Sequence, residues 1–155
     1  MTNDAVGPDM SVLLDVRGLK KYFPIRRGIL QKTIGHVKAL DDVTFFLNRG
    51  ETLSLVGESG CGKTTTARCI LRAIAPTAGQ VLLSDNGEVL DVATVPKSRL
   101  RPLRRQMQMI FQDPFSSLNP RMTVGEIVGE GLRLHAQVGG AEIRQRVAEW
   151  LGRVG

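Results

Sequence analysis

Two cysteines, Cys61 and Cys69, are all that 155 residues provide. A disulfide framework is therefore excluded as a source of stability, and the composition suits a reducing cytosol. No run of 18 apolar residues occurs, so no segment reads as a membrane-spanning helix. The stretch from Met1 to Met10 has no basic region followed by an apolar one. It reads as a frayed tail and not as a secretory signal. Histidine is nearly absent. His36 and His135 have no partner at catalytic or metal spacing and read as surface or packing residues. Internal repeats and low-complexity segments are also lacking.

Apolar residues make up 42% of the chain, an ordinary globular share, and the length suffices for one domain with a core. The net charge is +6. Much of it comes from residues 97–105, which hold five basic side chains and no acid. This run lacks the interleaved aromatics of a single-strand nucleic-acid binder and reads as the solvated face of a short connecting helix. Met107, Met109 and Met122 read as core fillers.

The most informative stretch is Gly57-Glu58-Ser59-Gly60-Cys61-Gly62-Lys63-Thr64, followed by Thr65. It fits G-x-x-x-x-G-K-[ST], the phosphate-binding loop. The chemistry explains the pattern. Glycines let the backbone turn tightly and aim successive N–H groups inward. A helix starting near Gly62 adds unsatisfied N–H groups and a positive dipole end. Lys63 then reaches the β- and γ-phosphates, and the Thr64 hydroxyl ligates Mg²⁺. Residues 51–56 read as a buried strand leading into the loop, and residues 64–74 as a helix with Ala67, Ile70, Leu71 and Ile74 on its apolar face. Cys61 is either a small residue tolerated in the loop or a thiol activated by the helix N-terminus.

Elsewhere, residues 11–17 predict a first strand, with Pro24 preventing its continuation as a central strand. Residues 26–38 read as a basic loop and residues 38–47 as a second strand, closed by a turn at residues 48–50. Two short strands, 80–84 and 88–92, flank Asp85-Asn86-Gly87, a hairpin signal. Residues 104–111 lead back toward the sheet. Thr123 with Glu126 forms a capping box ahead of a helix carrying Val124, Ile127, Val128 and Leu132. Gly139 and Gly140 break it. A second helix over 141–151 places Ile143, Val147, Trp150 and Leu151 on one face. A hairpin-rich first half with one phosphate-binding strand–helix unit predicts a mixed α/β core.

Residues 57–65, together with Phe111-Gln-Asp-Pro-Phe-Ser-Ser-Leu-Asn-Pro-Arg-Met-Thr-Val-Gly125, resemble the ATP-binding subunits of ABC transporters. The wording is closest to the oligopeptide/dipeptide importer branch. Leu19-Lys-Lys-Tyr-Phe-Pro24 and Gly35-His-Val-Lys-Ala-Leu40 match it too. The resemblance implies a P-loop NTPase fold of the ABC type. Of it this chain would hold a frayed tail (1–10), a partial ATP-binding core (11–122) and the start of the helical subdomain (123–155). Lys63, Thr64 and the Gly60–Thr65 amides would hold ATP and Mg²⁺. Gln112 would reach the Mg²⁺ and the attacking water, which suits an amide carbonyl oxygen. Phe23 would stack on adenine, with Tyr22 as the alternative. Implied partners are permease subunits and a second ATP-binding subunit, identical or paralogous, at the cytoplasmic face of the inner membrane. Nucleic acid is not expected.

The sequence departs from that family in three parts. A Leu-Ser-Gly-Gly-Gln-type signature, an Asp-Glu pair after four apolar residues and a switch histidine do not occur in it. Val81-Leu-Leu-Ser-Asp85 imitates the second only faintly and precedes a hairpin turn. The chain thus looks like the first half of the domain. Apolar surface would be exposed where flanking parallel strands belong. The alternative to an ATPase subunit is a nucleotide-binding fragment without turnover, since a general-base carboxylate is missing. A third reading, a nucleic-acid-handling ATPase, draws on the basic charge alone.

Overall fold

A computed structural model describes residues 11–28, 31–85, 87–113, 118–135 and 138–155. The N-terminal tail, Asn86 of the hairpin turn and residues 114–117 of the Gln112 loop lie outside the described residues. The chain divides into two compact units, residues 1–108 and 109–155.

The first unit is built on a four-stranded antiparallel sheet in the order β2-β1-β3-β4. Its strands are β1 (Val12–Arg27), β2 (Lys32–Asn48), β3 (Ala78–Asp85) and β4 (Glu88–Asp91). The β3–β4 hairpin forms where the Asn-Gly signal predicts it. The first two strands, however, run much further than expected. Of residues 26–38, read as a loop, 26–27 and 32–38 belong to the strands, and the ladder continues through Ile25↔Gly35, Arg26↔Thr33 and Arg27↔Lys32. Pro24 does not end β1 either, and the reason is local. Pairing of β1 with β3 ends at Lys20↔Ala78, so past that point β1 pairs only with β2 and an edge proline is tolerated.

Helices α1 (Lys63–Ile70) and α2 (Lys97–Leu103) supply the rest of this unit. The core joins Val16, Leu19, Val81, Leu83 and Leu90 from the sheet to Cys69, Val92, Leu100 and Leu103. Helix α1 is shorter than expected. It ends at Leu71, and Arg72 turns into the left-handed region with φ 49°. Thr66 and Cys69 are its buried residues, and Ile70 and Ile74 of the predicted stripe pack half-buried against the same core. The basic run behaves as a solvated helix face. Arg99 reaches Glu88 at 2.6 Å while Leu100 and Leu103 turn inward. Met107 packs against the core.

Residues 51–56 are not a strand. They have no regular structure and are exposed along their whole length. The reason is pairing. A parallel-type central strand is held by ladders on both sides, and no described strand pairs with this segment.

The second unit is a helix pair, α3 (Val124–His135) and α4 (Gly140–Val154). The capping box is formed. The Thr123 N–H donates to Glu126 Oε2 at 2.8 Å, and the Glu126 N–H donates to Thr123 Oγ1 at 3.3 Å. Ile143 and Val147 are buried against α3, where a Cβ on Gly129 would stand 3.1 Å from Ile143 Cγ2. Trp150, expected on the same face, is 41% exposed.

Candidate functional site

The turn after β2 is closed by the Glu51 N–H donating to Asn48 O at 3.2 Å. From there the backbone runs exposed to the phosphate loop. Two glycines shape that loop in the left-handed region, Gly60 at φ 83° and Gly62 at φ 102°. Gly62 is the N-cap of α1 and sits tight against β2. A Cβ there would lie 2.6 Å from the Ala39 carbonyl oxygen and 2.9 Å from Leu40 Cδ2. At Gly57 a Cβ would meet Cys61 Sγ at 2.7 Å, so the thiol occupies the space that this glycine leaves. Only glycine satisfies both requirements at position 62.

No side chain caps α1, and its first turn carries no acid. The early amides of a helix have no intrahelical acceptor, so those of Lys63, Thr64 and Thr65 present unpaid donors and a positive dipole end. Lys63 adds a full charge. Its ammonium donates to the carbonyls of Gly57 and Glu58, each at 2.7 Å, and lies 3.5 Å from Cys61 Sγ. The Cys61 N–H closes the loop onto Glu58 O at 3.3 Å. Ser59 and Thr64 are exposed. Thr66 is buried yet satisfied, since its hydroxyl donates to Gly62 O at 3.1 Å. Burial pushes the Cys69 thiol above its ordinary pKa, so this second cysteine is a core residue.

The two aromatic candidates are separated by their surroundings. The Tyr22 hydroxyl donates to Asp41 Oδ1, and Lys38 lies 5.4 Å from the ring centroid. The hydrogen bond to Asp41 raises the Tyr22 pKa, and that same bond, with Lys38, lowers that of Asp41. Phe23 is 41% exposed, with the Lys21 ammonium 5.0 Å from its ring centroid. Sequence reasoning passed over Lys21. Its spacing of two from Phe23 on a strand was the available signal, because such residues share a face.

Gln112 is exposed, at a bend after Phe111, and belongs to the second unit, whereas Lys63 and Phe23 belong to the first. The second unit also carries a groove of about 440 Å³ lined by Ile143, Val147 and Leu151, with Glu126, Arg133 and Arg144 at polar positions. None of the nucleotide-binding candidates contributes to it. Among the described residues no group of three or more His, Cys, Asp or Glu could hold a metal ion, so a cation here would depend on hydroxyl, amide and ligand oxygens.

Comparison with known proteins places this geometry in a family. The oligopeptide transport ATP-binding protein AppF of Bacillus subtilis is 45% identical over 148 residues, covering 95% of this chain and 44% of that protein. The glutathione import ATP-binding protein GsiA of Escherichia coli K12 is 45% identical over 147 residues, 95% of this chain and 23% of its own length. The chain therefore spans less than half the length of these curated relatives. In fold it is similar to an ATP-binding cassette solved as a dimer in a post-hydrolysis state with ADP and Pi. That likeness has a TM-score of 0.67 at 24% identity and covers 88% of this chain and 55% of the other. The ABC transporter family model matches residues 40–155, from the middle of β2 through the phosphate loop to α4, and the chain belongs to that family.

Proposed function

We propose that this chain is the nucleotide-binding part of an ATP-binding subunit that powers a peptide importer. The observation that carries the proposal is the Lys63 ammonium held over the carbonyls of Gly57 and Glu58 at the uncapped N-terminus of α1. The chemistry of the donors fits a magnesium-bound triphosphate. Phosphate oxygens are charged acceptors and form stronger hydrogen bonds than peptide carbonyls, so Lys63 can exchange its two carbonyl partners for them. The Gly60–Thr65 amides would take the remaining phosphate oxygens, with Thr64 and Gln112 toward Mg²⁺. ATP·Mg, when bound, supplies the phosphoanhydride whose cleavage drives transport. Phe23 would take the adenine, because the Tyr22 hydroxyl is committed to Asp41.

The domain reading of a core over 11–122 and a helical subdomain from 123 belongs to the same proposal. So do a permease partner, a second ATP-binding subunit and a peripheral place at the cytoplasmic membrane face. The names of the relatives support the oligopeptide or glutathione class of cargo. Among the described residues no helix is long and apolar enough to cross a membrane.

Turnover is a separate matter. Activating water takes a general base, and in the family the resemblance implies that base is a carboxylate. Beyond Asp113 the carboxylate side chains are Glu126, Glu130, Glu142 and Glu149, all on α3 and α4. Glu126 is engaged by Thr123 and Glu142 by Arg146. We therefore assign nucleotide binding to this chain, and hydrolysis to an assembly that brings a base from elsewhere. Calorimetry with ATP·Mg tests the first part. Heat is expected, with affinity falling roughly ten- to hundredfold in Lys63→Ala, the range for a hydrogen bond to a charged group. An unchanged affinity would overturn it. Steady Mg²⁺-dependent hydrolysis by the 155-residue chain would overturn the second part.

A further inference from the structure

The segment that leaves α1 returns to β1 through a set of hydrogen bonds just before Phe23. The Lys21 ammonium donates to the Ala75 carbonyl at 2.7 Å. The Tyr22 N–H donates to Thr77 Oγ1 at 2.9 Å, and the Thr77 N–H donates to Lys20 O at 2.8 Å. Residues 75–77 are thus tied to residues 20–22 as a continuation of the β1–β3 pairing. Lys21 does two things with one ammonium. It anchors the chain that follows the phosphate-loop helix, and it lies 5.0 Å from the centroid of the Phe23 ring. An ammonium at that distance is held by the negative face of the ring. A half-buried Lys21 with a backbone anchor is a fixed group, whereas Phe23 is exposed on a stretch of β1 that pairs only with β2.

Resting on the nucleotide reading above, we infer that Lys21 is a positioning residue for base recognition. Its ammonium covers one face of Phe23 and leaves the other to the purine, and its bond to Ala75 ties that stacking platform to the segment leaving α1. The cation also draws ring electron density toward itself, which suits the opposite face to an electron-rich base. Lys21 itself touches no phosphate in this assignment.

The distinguishing ligands are ATP·Mg and base-free tripolyphosphate·Mg, compared by calorimetry on the 155-residue chain. Lys21→Met is expected to weaken ATP about three- to tenfold, the range of a partly desolvated cation–π contact, and to leave tripolyphosphate within about twofold. Lys21→Arg keeps both the charge and a donor and should restore ATP affinity. Adding Lys21→Met to Phe23→Ala should cost nothing further for ATP. Equal loss of both ligands, or additivity with Phe23→Ala, would overturn the assignment and make Lys21 a purely structural tie. An unsubstituted chain that binds neither ligand would overturn the phosphate-loop reading itself, and this inference with it. Thermal unfolding of each variant separates loss of fold from loss of stacking.

Discussion

Two apolar stretches of similar composition meet opposite fates in this molecule. Residues 80–84, Gln-Val-Leu-Leu-Ser, form the middle of β3, and Val81 is 0% exposed. Residues 52–56, Thr-Leu-Ser-Leu-Val, have no regular structure, and Val56 is 93% exposed. Propensity does not separate them. Neighbours do. β3 lies between β1 and β4, which satisfy its backbone on both edges, and Val81 pairs with Val16 and shares its core with Val92 just past β4. The 52–56 stretch has no described strand beside it. A strand is a property of its ladder more than of its residues, and an apolar run without partners remains a potential strand.

The sharpest test of that contrast uses one substitution at two valines. Val81→Asp places an unpaired carboxylate in a closed core and is expected to cost roughly 4 kcal/mol or more, enough to unfold the first unit. Val56→Asp alters an exposed side chain and should stay within about 0.5 kcal/mol. Urea titration followed by circular dichroism reads both. A comparable loss at Val56 would mean that the 52–56 stretch is packed after all.

Two loop glycines extend the comparison from strands to the site. Both have positive φ, but only Gly62 is pressed against β2. Gly60→Ala should cost roughly 1–2 kcal/mol, the penalty of a Cβ in the left-handed region. Gly62→Ala adds a clash with the Ala39 backbone and should cost roughly 3 kcal/mol or more, together with nucleotide binding. If the two variants unfold alike, the contact between α1 and β2 contributes little to holding the loop.

The same difference in neighbours sets how much of the molecule was legible beforehand. Features specified within a few residues could be read directly. The phosphate loop, the Asn-Gly hairpin and the Thr123–Glu126 capping box each depend on local geometry and nearby polar groups. Features specified by distant partners could not. Residues 26–38 are rich in basic groups and glycine, yet 26–27 and 32–38 lie in strands because β1 and β2 continue to face one another. The inward face of α1 is set by where the sheet lies, which buries Thr66 and Cys69 most deeply and leaves Ile70 and Ile74 of the predicted stripe half-buried beside them. Lys21 was missed for a similar reason. A lysine is by default a solvated charge, and only the return of residues 75–77 reveals its second role.

The helix pair lies between these extremes, with a thin core of Ile143 and Val147 and a polar clasp at its start. That clasp is open to titration. The Thr123 backbone N–H, then its hydroxyl, favour the Glu126 carboxylate and hold its pKa below the ordinary value of 4.5. A carboxylate whose folded pKa is depressed stabilises the fold fully above its unfolded pKa, and that contribution disappears as pH falls through the folded value. The helix start should therefore be insensitive to pH between neutrality and about 5, and should loosen only below 4.5. Amide signals of residues 123–127 followed by NMR during acid titration would show this as a local step, absent in Glu126→Gln. The glutamine keeps one acceptor for the Thr123 N–H and so preserves the cap geometry while removing the titration. A step that persists in the variant would mean that Glu126 is not the group whose titration loosens the helix start.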